Sequence, residues 1–281
     1  MTVCKNAGKS NDRGLSCFVI GSQLIKGTFY QAARIACVGA AMLGGAAESA
    51  RAQTPPAASA VETCLAANSS LSLGAKLPRT TARLKSGEPL KIVAIGSSST
   101  VGLWVLQSAA TYPEVMRREL LRLKSNAEIQ IINSGRVGDT IPDNIARFER
   151  DVFSYGPDLV VWQLGTNDIA WGGHPGDQLK SKIVQGVRAL KASGTDVILM
   201  DLQYAPLVLR SDYYSKMETT ISEVAQQEQV GLFSRFVLMR KSIDAGVPSS
   251  MLVSWDGLHN TVDGYDCIGR ALARTISSIT H

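Results

Sequence analysis

The chain has 281 residues, 45% of them hydrophobic and 19% charged, with 25 Gly and 10 Pro. This composition excludes collagen, a coiled coil and an acidic disordered chain, and the length suits one large domain or two small ones. Most of the net charge of +5 sits in residues 1–52, where six basic side chains face two acidic ones, so the rest carries only +1 and no basic nucleic-acid-binding face is expected.

The first segment with a recognisable pattern is the uncharged run from Ile35 to Ala47. It is shorter than the ~20 apolar residues a bilayer-spanning helix requires. Basic residues precede it and Ala50-Arg51-Ala52 follows, so residues 1–52 are predicted to be a secretory signal cleaved after Ala52. The mature protein is then periplasmic or secreted and has no stable membrane span. Cys4, Cys17 and Cys37 leave with the signal, while Cys64 and Cys267 remain. In an oxidising compartment these two fit a disulfide or two separate buried thiols equally well. Residues 53–88 contain Pro55, Pro56 and Pro78 with little apolar periodicity, and read as a linker and a loosely docked arm.

From residue 89 to 281, short apolar runs alternate with amphipathic stretches. Ile92–Ile95, Ile129–Ile132, Leu159–Leu164, Val197–Met200 and a weaker Gly231–Phe233 suit strands covered on both faces. Thr111, Pro113 and Glu114 form a capping-box start for one helix, and Thr140, Pro142 and Asp143 form a weaker version for another. Leu179, Ile183, Val187 and Leu190 share one helical face, and a last helix is expected to begin near Asn260 or Thr261. Strands alternating with helices predict an α/β three-layer sandwich around a parallel five-stranded sheet.

Ligands of open α/β sheets bind beyond the carboxyl ends of the strands. Gly96-Ser97-Ser98-Ser99-Thr100 follows the first run and offers an exposed hydroxyl, a plain Ser/Gly turn, or a phosphate-cradling loop. Gly138-Asp139-Thr140 follows the second run, and Gly165-Thr166-Asn167-Asp168 the third, where an Asn carboxamide could donate to an oxyanion or merely complete a turn. Late in the chain, Asp256-Gly257-Leu258-His259 brings a carboxylate within a short turn of an imidazole, as a general base and its orienting group require. Asp256 or Asn260 could instead simply cap the last helix.

These four blocks, in this order over about residues 90–281, resemble the SGNH (GDSL-type) hydrolase family. The resemblance implies a flavodoxin-like SGNH fold and acyl transfer from an ester to water, without metal or organic cofactor. It assigns Ser98 as nucleophile, His259 as base and Asp256 as its orienting acid, with the Ser98 N–H, Gly138 and Asn167 as oxyanion donors. Ser97 stands where the family often has Asp, and the offsets from Gly96 and to Thr100 favour Ser98 over its neighbours as the attacking residue. Trp104, Trp171 and Trp255 lie close in sequence to the site residues, as packing residues or as a rim for a sugar ring. The expected substrate is a short-chain or O-acetyl ester, including O-acetylated carbohydrate. Two other readings use the same residues: an acyltransferase with an alcohol acceptor, and a non-catalytic flavodoxin-like or carbohydrate-binding module, which would have no need of the His259–Asp256 pair.

Overall fold

The computed structural model describes residues 59–170 and 177–280, all within the compact unit Pro55–His281. The predicted signal over residues 1–52, the first part of the predicted linker, and Trp171 and His174 lie outside the described residues.

Five strands form one parallel sheet: β1 Leu90–Gly96, β2 Ile129–Gly135, β3 Leu159–Gln163, β4 Asp196–Met200 and β5 Gly231–Phe233, in the order β2-β1-β3-β4-β5. All five predicted runs are strands. β3 is buried along its whole length and β1 and β4 nearly so, which is why these segments read as unbroken apolar runs instead of alternating ones. β2, at the edge, is mostly half-buried.

The chain steps from β1 outward to β2, then back over β1 to β3 and on to β5. Right-handed crossovers therefore place the first connecting helix and the later ones on opposite faces. Helix Tyr112–Leu123 packs on the last helix, Val262–Ile279, while helix Asp177–Ala192 packs on Tyr214–Glu228. Ile183, Val187 and Leu190 are fully buried on the predicted face. The order reverses between β1 and β3, so the crevice for a ligand lies at the carboxyl ends of these two strands.

Local signals held unevenly. Thr111 precedes its helix as expected, but its box does not form: its hydroxyl donates to Ser108 O, and Glu114 pairs with Arg117 instead. The weaker-looking box does form, with the Asp143 carboxylate accepting from both the backbone N–H and the hydroxyl of Thr140. Thr261 caps the last helix, so neither Asp256 nor Asn260 does.

The described part of the predicted arm is not loosely docked. It forms helices Ala60–Ala67 and Pro78–Ser86, and Leu65, Leu73 and Leu77 are buried in the common core. A disulfide joins Cys64 to Cys267 on the last helix, with a Cα–Cα distance of 6.0 Å. Leu73 O accepts the Leu232 N–H at 2.9 Å, so the arm also covers the outer edge of β5. These helices carry few buried positions, and the sequence pattern there is correspondingly weak.

Candidate active site

β1 ends at Gly96, and the chain turns at once into a four-residue helix, Ser98–Val101, with Ser98 at its first position. A Cβ at Gly135, opposite Gly96 in the sheet, would sit 2.2 Å from Val101 N, so only glycine lets this turn lie against β2. The first N–H groups of a helix have no intrahelical partner, which leaves the Ser98 N–H free to face the crevice.

Three consecutive serines are separated by their partners. Ser97 donates both its N–H and its hydroxyl to Gln163 Oε1, each at 2.9 Å, and Ser99, buried like Ser98, has no hydrogen bond to His259 among the described residues. Ser98 Oγ lies 2.7 Å from His259 Nε2. On the far side of the ring, His259 Nδ1 is 2.5 Å from Asp256 Oδ2. The residues are 161 positions apart in sequence at the serine–histidine step, and the fold brings them together.

The loop that carries Asp256 and His259 is tightly tied. Ser254 N donates to His259 O at 2.7 Å, Val253 and Asn260 form an antiparallel bridge, and Gly257 takes φ +70°. Asp256 Oδ1 accepts the Leu258 and His259 N–H groups, each at 3.0 Å. Burial by itself would raise the Asp256 carboxyl, but the His259 ring, these two N–H groups and the Trp104 indole together hold it down at about 2. Asp256 is therefore a carboxylate that can only accept, so His259 Nδ1 carries the proton and Nε2 offers its lone pair to the Ser98 hydroxyl.

Gly138 and Asn167 flank the same crevice. Gly138 is exposed with φ +86°, a conformation natural to glycine, and its N–H donates to nothing among the described residues. Asn167 Nδ2 donates to Asp139 O at 2.9 Å, which sets the carboxamide beside Gly138 and leaves its second N–H for a ligand. Beneath them Asp139 accepts from Asn144 and Arg147, and Arg147 also donates to Gly96 O at 3.0 Å, linking this loop to the serine turn. Asp168 accepts the Ile141 N–H at 3.0 Å, and burial pushes its carboxyl up to about 6.

Three further residues bind this site together: Gln163 and Gln203, which carry no sequence signal of their own, and Trp104, which the sequence marks only as a packing or rim residue. Gln163 holds Ser97 and also accepts from Thr100 Oγ1 at 3.2 Å. Gln203 Oε1 accepts from Thr166 and from the fully buried Arg235, while its Nε2 donates to Leu258 O, so one side chain braces the loops of both Asn167 and His259. Trp104 donates its indole N–H to Asp256 Oδ2 at 2.7 Å. Its ring lies 5.4 Å from that of Trp255, and the two are 52% and 82% exposed, an open aromatic face next to the acid. Among the described residues no three His, Cys, Asp or Glu side chains gather as metal ligands would.

Such an arrangement can deprotonate a hydroxyl, direct it at an electrophilic carbon and stabilise the oxyanion that results. Residues 63–281 match the Non-GDSL lipase-like family. An arylesterase of Vibrio mimicus is 24% identical over 188 residues, 66% of this chain and 88% of that protein. An acetylxylan esterase of Geobacillus stearothermophilus is 28% identical over 164 residues, 53% of this chain and 72% of that one. In structure, a two-domain esterase active on acetylated mannans superposes with a TM-score of 0.63 at 20% identity, over 73% of this chain. This chain spans about half of that longer protein, 54% of its length. The Geobacillus acetylxylan esterase superposes with a TM-score of 0.55 at 21% identity, over 66% of this chain and 94% of its own. The structural likenesses are likenesses of fold.

Proposed function

The chain belongs to the Non-GDSL lipase-like family and is a carboxylic ester hydrolase; from that premise we propose that it is an exported serine esterase that removes short acyl groups, acetyl foremost, from esterified carbohydrate. What supports this reading most is the unbroken line from Ser98 Oγ through the His259 ring to Asp256, with steps of 2.7 Å and 2.5 Å.

In this mechanism Ser98 Oγ attacks the ester carbonyl carbon as its proton passes to His259 Nε2. The Ser98 and Gly138 N–H groups and the free Asn167 N–H stabilise the carbonyl oxygen as it becomes an oxyanion. Asp256 stays ionised and stabilises the imidazolium without taking its proton. His259 then protonates the leaving alcohol oxygen, leaving the acyl group on Ser98. Water, deprotonated by the same nitrogen, attacks the acyl carbon; the bond from that carbon to Ser98 Oγ breaks, His259 returns the proton to Oγ, and the carboxylic acid leaves. The open Trp104–Trp255 face offers apolar rings with which a sugar can stack. The esterases active on acetylated mannan and acetylxylan give the same substrate class its chemical precedent.

A panel of p-nitrophenyl esters of increasing acyl length, together with acetylated oligosaccharides, tests the reading. Activity should peak at acetyl, and a fluorophosphonate should label Ser98 and no other serine. Ser98→Ala and His259→Ala should each remove nearly all turnover, and the double variant should lose little more, because residues acting as one unit are not additive. Labelling of Ser97 or Ser99, or wild-type turnover by Ser98→Ala, would reject the assignment. For export, N-terminal sequencing of protein from an extracytoplasmic fraction should begin at or near Gln53; an intact Met1 found solely in the cytosol would reject it.

A further inference from the structure

We propose that Trp104 is a positioning residue of the hydrolytic relay: its indole N–H fixes the Asp256 oxygen that holds the His259 ring, and it does so from the same segment that carries Ser98. The inference rests on the reading of Ser98, His259 and Asp256 given above and adds a fourth residue to that set.

The Asp256 carboxylate receives four hydrogen bonds. Three come from its own loop: the N–H groups of Leu258 and His259 on Oδ1, and His259 Nδ1 on Oδ2. Those three move with the loop and cannot register it against the serine. The fourth, from Trp104 Nε1 to Oδ2 at 2.7 Å, is the one donor from outside the loop among the described residues. The buried Tyr265 hydroxyl of the last helix feels the Asp256 charge but has no hydrogen-bond partner among the described residues.

Trp104 is itself tied to the serine turn. The N–H groups of Gly102 and Leu103 both donate to Ser98 O at 3.0 Å, and Val105 N donates to Gly102 O at 3.0 Å. Trp104 has φ +70°, a backbone conformation that a bulky side chain rarely adopts, and this turns the indole toward Asp256. Segment 98–104 therefore touches the histidine–aspartate pair at both ends, through Ser98 Oγ on the imidazole and through the indole on the carboxylate. The contacts close a ring that runs from Ser98 to His259 to Asp256 to Trp104 and back along the chain. Trp255 lies against the outer side of the indole, and half of the Trp104 surface meets solvent, so the hydrogen bond to Asp256 and the backbone of the turn are what hold the ring in place.

The indole N–H has an electrostatic effect as well as a geometric one. By donating to Oδ2 it draws charge away from the oxygen that stabilises the imidazolium. Its removal leaves more charge facing Nδ1, so the protonated imidazole becomes more stable and the acid limb of the pH–rate profile moves to higher pH. A residue that only stacks with substrate has no such effect.

The test uses the whole enzyme with p-nitrophenyl acetate, which carries no sugar and does not need an aromatic platform. Trp104→Phe removes the donor and shortens the ring; replacement of Trp104 by 3-benzothienylalanine puts sulfur in place of the N–H and keeps the outline. Melting temperatures within a few degrees of the wild type are the check that both remain folded. Both should lower kcat by about tenfold and leave KM within about twofold. Both should also move the acid limb of kcat/KM up by roughly half a pH unit. Trp255→Ala should raise KM for an acetylated oligosaccharide and leave that limb in place. Wild-type kcat and an unmoved limb in the benzothienyl protein would overturn the proposal, whatever Trp104→Phe does. Ser98→Ala in the same assay separates the two claims. If it retains turnover, the reading of the site fails; if it is inactive while the isostere behaves as wild type, the role of Trp104 alone is rejected.

Discussion

Ser97, Ser98 and Ser99 share one turn and one chemistry, and only their partners set them apart. Because Gln163 Oε1 still accepts from the Ser97 N–H and from Thr100 when the Ser97 hydroxyl is gone, Ser97→Ala should cost about 1 kcal/mol of stability and leave kcat/KM within about threefold. Denaturant titration and steady-state kinetics read the two quantities separately. Asn167 presents a different case. Its anchoring bond to Asp139 O is made before substrate arrives, and its free N–H meets full charge only in the transition state. Asn167→Ala should therefore lower kcat by on the order of 10²–10³ with little change in KM. A loss confined to KM would mean that the carboxamide binds the ground state instead.

At the scale of elements, the described arm has a mechanical role. Its first helix is bonded through Cys64 to the last helix, which starts just after His259, and its Leu73 carbonyl closes the edge of β5. Cys64 and Cys267 enclose most of the chain, so the paired variant Cys64→Ala with Cys267→Ala should lose ~2–4 kcal/mol in denaturant unfolding. Its kcat should change little, since neither sulfur reaches the crevice. The arm also marks where sequence reading ran short. Strands were legible because burial on both faces writes an apolar run, and the proximity of Ser98 to Asp256 and His259 could be expected because the serine lies in one short Gly/Ser block and the other two share a second. Helix Ala60–Ala67 buries only Cys64 and Leu65, too few to write a period. Gln163 and Gln203, and the bond from Trp104 to Asp256, were invisible for another reason: the decisive partners lie 66, 55 and 152 residues away, and no local spacing encodes such contacts.

For the whole molecule, the sheet reversal gathers Ser98, Gly138, Asn167 and His259 at one end, and a buried charged cluster underlies them. Arg235 is fully buried, donates to Asp201 O and Gln203, and lies near the Asp201 and Glu218 carboxyls. Burial raises the Glu218 carboxyl, and the neighbouring Asp201 charge raises it further. A carboxyl with a raised folded-state pKa stabilises the protein fully below its unfolded value and progressively less as pH rises toward the folded one. Glu218→Gln imitates the protonated acid and can still accept the Leu202 N–H. Its melting temperature should therefore gain on that of the wild type as pH rises between about 5 and 9, and parallel curves would show that Glu218 ionises freely.

The Cys64–Cys267 bond has one more consequence, which concerns a cut chain. Residues 85–89, the last two of helix Pro78–Ser86 and the link to β1, are exposed, and Lys85 offers trypsin a site there. Cleavage after Lys85 would divide the polypeptide without releasing the arm, because the sulfur bridge spans the break. A nicked enzyme should migrate as one species on a non-reducing gel, separate into two on reduction, and keep β5 covered and its activity intact until the reductant is added.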